Sequence, residues 1–132
     1  MIKKRNLREV EFVAAPNRRI AELISRHALG SAAVTLRLLE MVPASRQLPR
    51  HPHAHNDFEE AILVLEGSGG IWVEEDFIEI EREDVLLIPP GTMHVIFNTG
   101  EAPLRLACFF PTNKGVDNRT CLERWIDPPA PR

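Results

Sequence analysis

Pro52-His53-Ala54-His55-Asn56-Asp57-Phe58-Glu59-Glu60 carries the strongest signal in this chain, and Pro89-Pro90-Gly91-Thr92-Met93-His94 is its counterpart further on. Imidazole and carboxylate groups together suit Fe, Mn, Ni, Co, Cu or Zn. Because side chains alternate between the faces of a strand, two histidines one residue apart point to the same side of an extended segment. The spacing therefore predicts one divalent transition metal inside a β structure, with the ligands His53, His55, Glu60 and His94.

The same two segments resemble the paired motifs of the cupin superfamily. The first family motif is Gly, five residues, His-x-His, three or four residues, Glu, six residues and Gly. The second is Gly, five residues, Pro-x-Gly, two residues, His, three residues and Asn. The chain departs from both at the leading Gly, where it has Gln47 and Glu83. It matches them over residues 31 to 111 at His53, His55, Glu60, Gly67, Pro89, Gly91, His94 and Asn98.

The resemblance implies an all-β fold, a double-stranded β-helix (jelly-roll) barrel with a short N-terminal extension and a Pro-rich C-terminal tail. We expect one cupin domain over residues 1–132, with its core barrel at about 31–111. Short β-prone runs separated by turn residues support this from residue 58 onward. Residues 18–26 fit both a helical stripe and a strand alternation, and the resemblance implies the strand.

Strand alternation also predicts which side chains face the interior. Ile62 and Val64 should point inward with Glu60, and Ile96 and Asn98 should do so with His94, which predicts a mainly apolar pocket. Val95 and Phe97 should face the other way and form, with Trp72, either a second apolar layer or a subunit interface. We further expect a tight turn at residues 67–70, a strand at 85–88 buried on both faces, and no regular element after Pro111.

Composition narrows the choice of partners. The chain has 132 residues with 16 basic and 19 acidic side chains, and its net charge of −3 provides no attraction for nucleic acid or for an anionic membrane. Cys108 and Cys121 have no metal-ligand spacing, and no signal peptide or membrane span is evident. We therefore expect a cytoplasmic homodimer that binds a small-molecule substrate or ligand.

Three imidazoles and one carboxylate leave coordination positions open for a substrate, which the metal would polarise or oxidise. The leading hypothesis is a metal-dependent, dioxygenase-type oxidoreductase acting on a small oxygenated organic molecule. Two alternatives stay open: a metal-dependent isomerase or decarboxylase, and a non-catalytic binding or sensor module. The motif strands offer no inward carboxylate beyond Glu60, which disfavours the former. His51 is either a catalytic acid/base at the pocket mouth or a solvated loop histidine.

Overall fold

A computed structural model describes residues 1–131 of the protein. Its regular structure is almost entirely extended, apart from short 3-10 turns at Leu7–Glu9 and Ala44–Arg46. The strands are β1 Phe12–Ala15, β2 Arg18–Ile24, β3 Thr35–Met41, β4 His53–Ala54, β5 Glu60–Glu66, β6 Ser68–Val73, β7 Asp76–Glu81, β8 Val85–Ile88, β9 Val95–Asn98, β10 Leu104–Phe110 and β11 Thr120–Cys121. No helix within the described residues is long and apolar enough to cross a membrane.

The strands form antiparallel sheets that pack around one interior. A six-stranded sheet has the order β1-β2-β3-β10-β5-β8, a three-stranded sheet has the order β7-β6-β9, and β11 pairs with β4. The expected all-β jelly-roll barrel is thus confirmed. Of residues 18–26, Arg18–Ile24 form a strand, as the resemblance implied, and β1 and β2 extend the large sheet N-terminal to residue 31.

The core follows the predicted alternation. Along β5, Glu60, Ile62 and Val64 are buried, whereas Ala61 and Leu63 are exposed. The neighbouring β10 buries Leu104, Leu106, Cys108 and Phe110 on the same side of the sheet. One face of the large sheet therefore builds the interior, which places Glu60 inside the barrel.

A second apolar cluster lies on the other side of the small sheet. Trp72, Val95 and Phe97 are buried there together with Ile126. The backbone of Ile126 pairs with Arg50, since each amide donates to the carbonyl oxygen of the other. Of the two possibilities left open by the sequence, the structure thus has a second layer within one chain, covered by its own C-terminal segment.

Three local expectations were wrong. Gly69 and Gly70 belong to β6 rather than to a turn, and a Cβ at Gly69 would lie 2.6 Å from the carbonyl oxygen of Phe97. Val85 and Leu87 are 77% and 64% exposed, because β8 is an edge strand whose outer face is uncovered. The C-terminal segment does form a regular element, because β11 pairs with β4.

Candidate functional site

A cavity of about 60 Å³ opens between the sheets. The expected apolar lining is present in half of the wall residues, and the other half are charged residues or histidines. The apolar lining comprises Ile20, Leu39, Met41, Ile62, Ile96, Leu106, Cys108, Phe110 and Val116. The polar lining comprises the four predicted metal ligands His53, His55, Glu60 and His94, together with Arg18, Arg37, Arg50, Arg119 and Asp117.

The structure brings the four predicted ligands together on the wall of this cavity, and we call these four residues the histidine end. Oε1 of Glu60 lies 3.8 Å from Nε2 of His55 and 3.7 Å from Nε2 of His94. The ring centroid of His53 is 4.5 Å from that of His94 and 5.2 Å from that of His55. Residues from two separate parts of the chain thus surround a common space.

Backbone pairing holds these side chains in place. His53 and His94 form an isolated antiparallel bridge, in which each amide donates to the other's carbonyl oxygen at 3.0 and 2.9 Å. The amide of Gly91, at φ +77°, donates to the carbonyl oxygen of His55 at 2.8 Å. A glycine adopts this left-handed conformation without steric cost. The motif turn therefore ties the two histidine-bearing segments to each other.

The two leading glycines missing from the motifs are replaced in different ways. Gln47 accepts a hydrogen bond from the amide of Asn98 at 2.7 Å and donates one to its carbonyl oxygen at 2.6 Å. Asn98 itself is fully buried and donates to the carbonyl oxygens of Val42 and Ala102, which makes it a structural residue. Glu83 adopts φ +76°, the left-handed conformation that favours glycine.

Two of the histidines at this end have lowered pKa values. Burial lowers the pKa of His53 strongly, and repulsion from His94 acts in the same direction. Burial also lowers the pKa of His55, although the Glu60 carboxylate opposes the shift. Nδ1 of His94 lies 2.8 Å from the carbonyl oxygen of Thr92. Because a carbonyl only accepts, Nδ1 carries a proton, and Nε2 is the ring nitrogen directed towards Glu60.

The donor set fits a divalent cation. Nδ1 of His53 and Nδ1 of His55 are buried without a hydrogen-bond partner, which is costly for a polar atom. Two atoms bound about 2.1 Å from one ion lie at most about 4.2 Å apart, so the Glu60–histidine separations are compatible with shared coordination. Within residues 1–131 no group of three or more His, Cys, Asp or Glu side chains is placed closely enough to hold a metal ion as it stands, so coordination would require the donors to draw inward.

His51 and Cys108 differ in their relation to the cavity. His51 is absent from the cavity wall; its ring stacks on Trp125 at 3.7 Å and its Nδ1 lies 3.0 Å from the carbonyl oxygen of Arg124. Cys108 lines the cavity as a buried residue. Burial and the nearby Glu60 carboxylate raise the pKa of the Cys108 thiol well above its usual value, so the thiol stays protonated.

The arginine end of the cavity, by which we mean Arg18, Arg37, Arg50 and Arg119 on its wall, was missed by the sequence analysis. Arg37 binds Asp117 through two hydrogen bonds of 3.1 and 3.3 Å and also binds Glu22 at 3.2 Å. Burial and repulsion from Arg119 lower the pKa of Arg18 to about 10. Burial and repulsion from Arg18 and Arg119 lower the pKa of Arg50 to about 9. The one sequence feature that could have indicated these arginines is strand alternation, which places Arg37 on the same face of β3 as Leu39 and Met41.

Comparisons with known proteins agree with this architecture. A family model described as a cupin domain matches residues 37–110, more than half of the chain. The polyketide cyclase RemF from Streptomyces resistomycificus has a similar structure, with a TM-score of 0.70 at 23% identity over 89% of both chains. The oxalate decarboxylase of Lactobacillus farciminis, solved as a formate complex, has a TM-score of 0.72 at 18% identity, over 88% of this chain and 34% of that one. The protein belongs to the cupin family.

A sequence relative adds a further similarity. The chain is 32% identical to the glucose-6-phosphate isomerase of Thermococcus litoralis over 79 residues. This aligned segment covers 56% of this chain and 42% of that protein. The matches span about half the length of the curated relatives or less. Family membership confirms the expected fold, while a cupin barrel by itself hosts many activities.

Proposed function

We propose that this protein is a metal-dependent enzyme acting on a small oxygenated organic molecule. His53, His55, Glu60 and His94 would hold one divalent transition metal. The observation that carries the proposal is the position of Glu60, whose Oε1 faces Nε2 of both His55 and His94 at 3.8 and 3.7 Å inside a buried cavity. A buried carboxylate directed at two imidazole nitrogens provides the oxygen and nitrogen donors that a divalent transition metal binds.

The protein's own residues would prepare the site for this metal. Thr92 accepts a hydrogen bond from Nδ1 of His94, which leaves Nε2 as the nitrogen that faces Glu60 and would bind the metal. Phe58 and Phe110 pack against the His55 ring at centroid distances of 5.0 and 5.3 Å and restrict its orientation. A metal bound there would act as Lewis acid or redox centre. The apolar part of the wall would exclude water and strengthen electrostatic interactions with the substrate.

For the reaction we propose a dioxygenase-type oxidation, in which O2 is the oxidant and an enol or diketone is the substrate. This chemistry needs few protein acid/base groups beyond the metal ligands. Asp117 is the only other carboxylate on the cavity wall among the described residues, and Arg37 engages both of its oxygens. The hydrogen bond from Arg37 lowers the pKa of Asp117, which makes it a poor base.

Isomerisation is the second candidate. The 32% identity over 79 residues to the glucose-6-phosphate isomerase of Thermococcus litoralis favours it. Metal-assisted isomerisation moves a proton between adjacent carbons and consumes no oxygen, so a single assay separates the two reactions. A non-catalytic binding module would bind a ligand saturably, without oxygen consumption and without formation of an isomerised product.

The test begins with the metal content of the purified protein, measured by elemental analysis. The protein is then reconstituted with Fe(II), Mn(II), Ni(II), Co(II), Cu(II) or Zn(II) and supplied with a panel of diketones, with and without a carboxylate group, or with a sugar phosphate. Oxygen uptake with a diketone supports the dioxygenase, and anaerobic conversion of the sugar phosphate supports the isomerase. His55→Ala should abolish either activity, whereas His27→Ala, at an exposed position, should retain it. Failure of the wild-type protein to retain stoichiometric metal would refute the proposal.

We also propose that the protein is a homodimer formed through the outer face of β5, β8 and β10. Leu63, Val85, Leu87 and Phe109 are 38–77% exposed there, a group of large apolar side chains at an open sheet edge. Light scattering should give twice the chain mass of 15.0 kDa. Leu87→Lys should yield monomers, and Ile78→Lys on the other sheet should not. A monomeric wild-type protein would contradict the proposal.

A cytoplasmic location is part of the same proposal. Cys108 and Cys121 are free, and Cys121 is exposed, a state that a reducing compartment preserves. Fractionation of the source cells would test this location, since recovery in an oxidising compartment would contradict it.

A further inference from the structure

The arginine end of the cavity carries positive charge that the protein does not neutralise. Arg18, Arg37, Arg50 and Arg119 line the cavity, against the two carboxylates of Glu60 and Asp117. Asp117 and Glu22 both pair with Arg37, which leaves the other three guanidinium groups without a carboxylate in the part of the chain that is described. A divalent metal at the histidine end would add to this excess.

Arg50 is the most informative of these side chains. It is 92% buried, yet its guanidinium group forms no hydrogen bond and no ion pair with any residue from 1 to 131, and it lines the cavity. The backbone amide and the backbone carbonyl of Arg50 both form hydrogen bonds with Ile126, which fixes the backbone from which the side chain extends. A buried arginine is ordinarily paired, because burying an isolated charge costs several kcal/mol. An unpaired one facing a cavity indicates that its partner is a ligand.

The neighbouring arginines strengthen this conclusion. Arg18 and Arg119 are close enough to repel Arg50, and Arg119 also repels the imidazole of His53. Arg18 uses one guanidinium nitrogen to donate to the carbonyl oxygen of Pro16 at 2.7 Å, which holds the group in position. Three cations thus converge on the space adjoining the predicted metal ligands. Such an arrangement is electrostatically unfavourable until an anion occupies that space.

We propose that the substrate carries a carboxylate group, which Arg50 binds with the help of Arg18 and Arg119 while the rest of the molecule extends towards the histidine end. This inference rests on the proposed function for the location of the reacting group, but the anion site itself does not require a metal. The planar fork of arginine matches the two oxygens of a carboxylate. The cavity volume of about 60 Å³ favours a small planar carboxylate over a bulkier phosphate ester.

Pyruvate and pyruvamide provide a matched pair of probes, since they share a 2-oxo skeleton and differ in the charge of one terminal group. Binding of each is followed by NMR titration of isotope-labelled protein, first free of metal and then loaded with Zn²⁺. Wild type should bind pyruvate about 10- to 100-fold more tightly than pyruvamide, as expected for a charge-assisted contact. Arg50→Gln should weaken pyruvate binding by a similar factor and leave pyruvamide binding unchanged.

Arg82→Gln is the matched control, because Arg82 is exposed and pairs only with its neighbour Glu83. It should bind both probes like the wild type. Arg119→Gln, at a half-buried position, provides a second test if Arg50→Gln does not fold. Equal affinities for pyruvate and pyruvamide, or full pyruvate affinity in both Arg50→Gln and Arg119→Gln, would overturn the assignment. Tighter, Arg50-dependent binding of inorganic phosphate would overturn the choice of carboxylate.

The two proposals fail in different ways. If the protein retains no metal but binds pyruvate through Arg50, the metal-dependent function is wrong and the carboxylate site stands. If it retains stoichiometric metal but does not discriminate between the two probes, the metal centre stands and the carboxylate site is wrong.

Discussion

The histidine end and the arginine end of the cavity are opposites in charge and in origin. At the first, burial keeps His53 and His55 neutral around one carboxylate, an arrangement suited to a cation. At the second, guanidinium groups lie together without enough carboxylates, an arrangement suited to an anion. The ligands of the first come from two short segments, whereas the arginines come from residues 18, 37, 50 and 119. A local motif thus marks one half of the site, and the other half is assembled from dispersed positions.

The largest expected effect concerns metal binding at the histidine end. Replacing His53, His55 or His94 with Ala should each reduce metal affinity by at least about 100-fold, because loss of a ligand exceeds the 10- to 100-fold cost of losing an outer-shell partner. Metal content after dialysis against a weak chelator measures this, with circular dichroism to verify folding. His51→Ala should retain metal, since His51 stacks on Trp125 outside the cavity. Loss of metal from His51→Ala alone would invalidate the ligand assignment.

At the arginine end, we expect a side chain that is placed for ligand binding to lower the stability of the free protein. Arg50→Met removes an unpaired buried charge and keeps most of the side-chain volume, so the free energy of unfolding should rise by about 1–3 kcal/mol. Arg37→Met should lower it instead, because it leaves Asp117 and Glu22 without their partner. Urea unfolding of the metal-free proteins compares the two variants. Destabilisation by Arg50→Met equal to that by Arg37→Met would show that the two arginines have the same structural role.

Acid should destabilise the histidine end. His53 and His55 have pKa values below those of the unfolded chain, so the unfolded state binds more protons once the pH falls below about 6.5. The free energy of unfolding of the metal-free protein should therefore decrease by about 1–2 kcal/mol between pH 6.5 and pH 5.

Denaturant titrations at several pH values measure that slope. His53→Gln should reduce it, while His27→Gln, at an exposed position, should not. An unchanged slope in His53→Gln would mean that His53 titrates normally in the folded protein.

The smallest effect concerns backbone strain near the motif, away from both ends. Glu83 adopts φ +76°, so Glu83→Gly should relieve the steric cost of this conformation. The greater conformational freedom of glycine in the unfolded chain should offset part of the gain. The expected gain is about 0.5–1 kcal/mol in the free energy of unfolding. Thermal unfolding measures it, and both metal content and pyruvate affinity should stay unchanged. A loss of stability would show that the Glu83 side chain makes a stabilising contact stronger than the strain.

The strand pattern was predictable where apolar and polar residues alternate. Glu60, Ile62 and Val64 face the interior as expected, because a period of two assigns every side chain of a strand once one is placed. The prediction failed for Val85 and Leu87, since an apolar run does not reveal whether a strand is central or at an edge. It failed for Gly69 because the same residue serves turns and close backbone packing.

The resemblance of the motif residues to the cupin superfamily was sufficient to predict the barrel. Their spacing predicted the grouping of His53, His55, Glu60 and His94, because side chains alternate along a strand. The grouping of Arg18, Arg37, Arg50 and Arg119 depended on how β2, β3 and the C-terminal segment pack, and charged residues at such separations carry no periodic signal. Burial, which leaves Arg50 unpaired beside the cavity, is a property of the folded chain: it arises only when distant segments exclude water from the same space.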